Sequence, residues 1–328
     1  MITKPILFVL LVLCPVLLLN QGCRSGRSTS IRSFTCCAEY QHSDALPFVP
    51  EPDVLRIAIG GDSRDDRSHV VPWAFQESVR RGAQAFVFLG DMELTAAEDH
   101  FFAPRLKDLS GMPFYPVVGN HEVELFGAFR VSSGRHAVKE FKDDFLAKST
   151  VKLAPLPEVA YTAEIGNRVH FIALDNVSRG REGFGEQLRW LEEDLKAASS
   201  AKQVILVGMH KPLAKNPITT HAMDEDGASA IQDSDAALAL FKQYGVALVF
   251  VSHSHMYAAY KQNGIEMRLT GGLGAPIVKG LAAADGGFHH FLLLDVPASG
   301  TAPLRVEVIK FPGPTTRDQR DEGLEVKD

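Results

Sequence analysis

Asp62, Asp91, Asn120, His210, His253 and His255 combine two carboxylates, one carboxamide and three imidazoles, all good ligands for a hard or borderline metal ion. They follow five apolar runs of strand length, at residues 55–60, 85–89, 114–118, 204–208 and 246–251, the last leading to both His253 and His255. A run such as Ala85-Phe86-Val87-Phe88-Leu89 reads as a strand buried on both faces. In open α/β sheets, ligands bind outside the carboxyl ends of the strands. One Gly90-Asp91 pair taken alone would read as a loop capping the next helix. Five strand ends in the same style do not read as packing. With no thiolate in the set, Mn, Fe or Zn is the matching chemistry, and six ligands are enough for two ions. A pair of ions needs a shared carboxylate, and Asp91, on the middle of the first three strands, is placed to bridge. His253 and His255 lie just beyond a strand end, where a tight turn aims one ring at each ion.

The elements that must hold these residues follow from periodicity. Residues 55–118 read as β-α-β-α-β, with helices at 72–82 and 98–109, which implies parallel strands and right-handed crossovers. Residues 134–148 look helical. Strands 159–165 and 168–174 flank Gly166-Asn167, a hairpin signal. Leu188, Leu191 and Leu195 mark one stripe of a helix at 185–198. A long polar loop at 211–233 precedes a helix at 235–244. Strands at 258–261, 265–270, 288–295 and 304–311 make the last third mostly β, before a charged tail. His69, His100, His136, His170, His289, His290 and Trp73 read as surface or packing residues, and residues 224–226 as a solvated acidic loop.

At 328 residues, with 45% hydrophobic and 23% charged residues, the chain has ample material for a core. Its formal net charge of −6 weighs against a nucleic-acid duplex as partner. Residues 1–23 read as a leader: Lys4, an apolar stretch at 6–19 shorter than the roughly 20 residues of a membrane span, then Gly22-Cys23. This resembles a bacterial lipoprotein signal with Cys23 as the lipidated residue; a plain cleaved secretory signal or an uncleaved anchor is the alternative. The expected organisation is a signal at 1–23, a flexible tether at 24–52, a catalytic domain at 53–312 and a tail at 313–328. The expected location is the periplasmic or cell-surface face of a membrane. Cys14, Cys23, Cys36 and Cys37 all precede residue 38, so the body has no disulfide and no cysteine nucleophile.

From Asp62 to His255, the order of Gly61-Asp62, Gly90-Asp91, Gly119-Asn120-His121-Glu122, His210 and His253-Ser254-His255 resembles the calcineurin-like metallophosphoesterase superfamily. Residues 187–191 (QLRWL) and 269–276 (LTGGLGAP) extend the likeness toward its purple-acid-phosphatase-like branch. The resemblance implies an α/β fold, a two-sheet β-sandwich flanked by helices, with the metals at one edge. It implies that Asp62, Asp91 and His255 hold a first ion, and that Asp91, Asn120, His210 and His253 hold a second. It further implies in-line hydrolysis by a bridging hydroxide, with His121 near the leaving oxygen. The expected activity is hydrolysis of a phosphate monoester, the substrate being small. A phosphodiesterase acting on a nucleotide or lipid headgroup is the alternative, as is a non-catalytic surface lipoprotein that binds metal or phosphate. Arg64 stands where the family usually has His, Leu94 where its purple members have Tyr, and Ser252 where Gly is usual. A guanidinium offers only donors. Arg64 therefore either holds a substrate phosphate oxygen or turns outward to Asp65 or Asp66. That leaves the first ion with Asp62, Asp91 and His255, plus water or Glu93. His221, in the long loop, is a candidate substrate contact.

Overall fold

A computed structural model describes residues 53–64, 66, 69–92, 103–123, 141–146, 151–154, 159–178, 184–298 and 302–317. The expectations for Cys23, Asp65, Glu93, Leu94, His100 and His136 lie outside the described residues. So does most of the helix expected at 134–148, of which a short π-helical turn, Lys142–Leu146, is described. Among the described residues, no helix is long and apolar enough to cross a membrane.

The first strands are β1 (Val54–Gly60), β2 (Ala85–Phe88) and β3 (Phe114–Pro116). They pair in parallel, with Ile57 opposite Ala85 and Phe86 opposite Phe114. Helix α1 (Val70–Arg80) crosses from β1 to β2. It starts ahead of the expected Pro72 because the buried Asp66 carboxylate accepts the Val70 and Val71 N–H groups at 2.7 and 3.0 Å, satisfying two orphan donors of its first turn. A short helix α2 (Asn120–Val123) follows β3. Then come β4 (Lys152–Leu153), β5 (Tyr161–Ile165), β6 (Val169–Ala173), α3 (Gly185–Ser200), β7 (Val204–Gly208), α4 (Ala228–Tyr244) and β8 (Leu248–Val251). The chain ends with β9 (Tyr257–Gln262), β10 (Ile265–Thr270), β11 (His290–Pro297) and β12 (Arg305–Lys310).

These strands form two mixed sheets, ordered β12-β11-β1-β2-β3 and β4-β5-β6-β7-β8-β10-β9. The alternation of side chains along β7 and β8 divides the core. Leu206, Leu248 and Phe250 join the cluster shared with the first sheet, whereas Val207, Val249 and Val251 pack with α3 and α4 residues such as Leu195 and Phe241. Both faces of these central strands are therefore apolar, which is why their sequences run without polar interruption and why polar residues gather at their ends.

Three further expectations change. The stretch at 98–109 contributes a 3₁₀ helix over Ala103–Leu109 rather than an α-helix. Helix α4 begins at Ala228 rather than at residue 235, entered through Gly227 at φ 100°, a left-handed conformation open to glycine. Met223–Asp226 forms a 3₁₀ turn just before it. Asp226 is not solvated as expected: it is buried, with its carboxylate 2.7 and 2.9 Å from Lys211 Nζ. A buried carboxylate needs such a partner.

Candidate metal centre

The five strand ends are stitched together by backbone. Asp62 N–H donates to the Gly90 carbonyl at 3.0 Å, Ser63 N–H to that of Asp91 at 3.1 Å, and Ser252 N–H to that of His210 at 2.7 Å. Glu122, a residue the sequence reading gave no role, completes the seam. Its Oε2 accepts the N–H of Gly119 at 2.6 Å and of Asp91 at 3.0 Å, tying the end of β3 to the end of β2. Burial, together with the charge of Asp91, pushes the Glu122 carboxyl up to about 7. The approach is close enough to require glycine: a Cβ on Gly90, at φ 89°, would lie 2.6 Å from the Gly119 backbone. Asp62, Arg64, Asp91 and His253 all adopt positive φ, at 62°, 46°, 57° and 69°. Left-handed conformations of non-glycine residues collect at functional sites because they cost free energy that packing must offset.

The structure brings all six expected ligands together, buried or nearly so. His210 Nε2 lies 2.9 Å from Asn120 Oδ1, 3.1 Å from His253 Nδ1 and 3.3 Å from Asp91 Oδ1. Donors at right angles around a metal, with bonds of about 2.1 Å, stand about 3.0 Å apart. Spacings of this size from His210 Nε2 suit donors that share one ion, and Asp91, His210 and His253 lie close enough together to do so. Asp62, Asp91 and His255 make a second, looser group, with ligand atoms within 4.8 Å of one another. Asp91 belongs to both.

Two of the rings are held so that the correct nitrogen faces inward. His210 Nδ1 is 2.7 Å from the Leu89 carbonyl, and His255 Nδ1 is 2.9 Å from that of Pro276. A carbonyl accepts only an N–H, so each Nε2 is left toward the site, the arrangement expected of metal-ligating histidines. Burial opposes charge on His210, but Asp91 beside it pushes the pKa up to about 9. Burial would raise Asp91, yet His210, His121 and Arg64 hold its carboxyl well below the usual range. Burial, reinforced by the neighbouring imidazoles His221 and His210, holds the His253 pKa well below its ordinary value. A cation held beside Asp91 would take the place of the His210 proton, since a ligating imidazole must be deprotonated at the metal-facing nitrogen.

Around these ligands stand the other predicted residues. Arg64 points into the site, where Nη1 donates to His121 Nε2 at 2.6 Å. His121 also donates its backbone N–H to Asp91 Oδ1 at 3.0 Å. His221 stacks on His253, with centroids 4.0 Å apart and planes 19° apart, and its Nδ1 is 3.0 Å from Glu225 Oε1. His221, Glu225 and His253 are close enough to share an ion. Near-parallel rings, however, cannot both aim an in-plane lone pair at a point between them, so this trio as arranged is not a third metal site. The sequence reading missed Lys211 and Asn176. Asn176 exchanges two hydrogen bonds with the Lys211 backbone, at 2.8 and 3.2 Å, and so steadies the segment after His210. A cavity of about 570 Å³, lined by Val204, Tyr257, Arg268 and Leu304 among others, contains none of the candidate ligands.

Two sheets whose strand ends converge on a shared carboxylate and paired imidazoles define an α/β fold with a candidate metal centre at one edge. Residues 55–257 match the calcineurin-like phosphoesterase family, and the chain belongs to it. That family comprises metallophosphoesterases, phosphoric ester hydrolases that use divalent metals. Similar solved structures include a purple acid phosphatase from yellow lupin seeds, at 17% identity and TM-score 0.57, with 84% of this chain covered. This chain spans only 56% of the lupin protein. A dimetal phosphatase from Danio rerio matches at 14% identity and TM-score 0.55, over 79% of this chain and 96% of that one. GAP50, the anchor in the inner membrane complex of Plasmodium, matches at 15% identity and TM-score 0.50, over 81% and 91%. At such identities the likeness is one of fold. No curated protein sequence matches the chain.

Proposed function

We propose that this protein hydrolyses a small phosphate ester, foremost a monoester, at a centre of two metal ions of the Mn, Fe or Zn type. The observation that carries this reading is the set of donors at about 3 Å spacing around His210 Nε2, joined through Asp91 to the group containing Asp62 and His255. When bound, such a pair supplies an activated hydroxide and positive charge for the phosphoryl oxygens. The chain's own residues do the rest. Asp91 holds both halves in register. Arg64 presents a planar fork that suits a phosphate oxygen. Because a guanidinium only donates, His121 Nε2 is an acceptor while Arg64 holds it. A phosphoryl group that takes the fork releases His121 Nε2 to act near the leaving oxygen. His221, at the edge of the site, is the remaining candidate substrate contact.

Metal analysis combined with hydrolysis of an aryl phosphate tests the proposal. Two ions per chain, and turnover that disappears with a chelator and returns with metal, are expected. One ion without turnover would instead support a binding module. We also propose export and anchoring through lipid on Cys23; Cys23→Ser should then leave the membrane fraction or remain unprocessed, and unchanged processing and membrane association would refute it.

A further inference from the structure

We propose that Ser252 is a positioning residue for the half of the centre formed by Asp62, Asp91 and His255, selecting the Asp62 oxygen that a cation receives. The inference rests on the two-metal reading above. Asp62 and Ser252 are fully buried. Asp62 Oδ2 accepts the Ser252 hydroxyl and, at 2.8 Å, the His253 backbone N–H. Asp62 Oδ1 is buried and accepts no hydrogen bond, and it lies 3.6 Å from His255 Nε2. A buried carboxylate oxygen without a donor is costly unless positive charge meets it. The two oxygens are thus divided between protein and ligand: one is saturated by two donors, and the other faces the group that can hold an ion.

Without the hydroxyl, one donor remains on Oδ2, and rotation about the Cβ–Cγ bond is less restrained. The surroundings are shaped to the contact. A Cβ on Gly61 would fall on the Ser252 hydroxyl, and one on Gly271 would lie 2.7 Å from Asp62 Oδ2. Ser252 also donates its N–H to the His210 carbonyl at 2.7 Å, so the hydroxyl is fixed relative to the neighbouring strand end. Arg64 is turned to His121 and cannot ligate, so the orientation of Asp62 weighs heavily in a half-site with three candidate ligands among the described residues.

The test is calorimetric titration of metal-freed protein with Mn²⁺, for the wild type, Ser252→Ala and Ser252→Gly, alongside thermal unfolding of each metal-free form. Wild-type protein should take up two ions in resolvable steps. Each variant should weaken one step about 10- to 100-fold and leave the other unchanged, as for other groups that orient a metal ligand. Unchanged affinity at both steps would overturn the role. So would equal losses at both steps that track a fall in the metal-free unfolding temperature, since that is the signature of packing alone. Glycine, the residue usual at this position in the family, removes the hydroxyl by a second route and guards against a misfolded alanine variant. A wild type that binds fewer than two ions would overturn the two-metal reading itself, and this inference with it.

Discussion

His170 and His210 are both buried, and both stand beside acidic partners, yet their surroundings prepare them for different tasks. On β6, His170 has Nδ1 2.6 Å from Glu164 on β5 and Nε2 2.7 Å from Asp194 on α3. Both nitrogens are consumed, and the ring clamps a hairpin to a helix. At the strand ends, His210 Nδ1 is held by the Leu89 carbonyl, while Nε2 meets three other candidate ligands, Asn120, His253 and Asp91. Neighbouring carboxylates raise both histidines against the opposing effect of burial, so the direction of the pKa does not separate them. What separates them is whether ligand atoms remain unspent: in the strand-end cluster Asp62 Oδ1 is buried without a hydrogen-bond partner, whereas both His170 nitrogens are bonded. A closed cluster holds the fold, and an open one awaits a ligand.

Breaking the open cluster should have the largest effect. Asp91→Asn removes the carboxylate shared by both groups and should lower turnover at limiting metal by at least about 100-fold, since even residues that only orient a ligand cost 10- to 100-fold. Near-wild-type rates at limiting Mn, Fe or Zn would show that Asp91 does not bridge. His121→Ala should slow alkyl phosphates by about 10²-fold or more and aryl phosphates far less, because an activated phenolate leaves without a proton. Equal losses on both substrates would reduce His121 to a positional part. Arg64→Ala should raise KM about tenfold with two metals retained, in line with the loss of a charge-assisted hydrogen bond. A lost ion, or unchanged kinetics, would contradict that assignment.

The smallest effect belongs to the closed cluster and concerns stability. His170 has its pKa raised in the folded state, so its contribution is fully present below the ordinary histidine value of about 6.5 and is lost as pH rises through the folded value. The stability gap between wild type and His170→Gln should therefore be largest below about pH 6 and shrink on the alkaline side. Glu164 is 48% exposed at its side chain, and solvent screening limits the effect to about 1 kcal/mol. Denaturant titrations at several pH values measure the gap, and a gap that widens with pH would reverse the assignment. Turnover at saturating metal should stay unchanged in this variant, in contrast to those at the strand ends.

The sequence alone determined the central strands, their order at the site and which candidate ligands follow them, because each of those signals is local. A doubly buried strand writes itself as an unbroken apolar run, and the polar residue that follows can only be at its end. Tertiary structure alone decided which nitrogen of each imidazole faces inward, because a carbonyl from another strand selects the tautomer: Leu89 for His210, 121 positions away, and Pro276 for His255. It also turned Arg64 toward His121, buried Asp226 against Lys211, and set the Ser252 hydroxyl on Asp62 across 190 positions of chain. Such pairings arise where strand ends and loops meet in the fold, and neither residue of a pair carries the signal of the other.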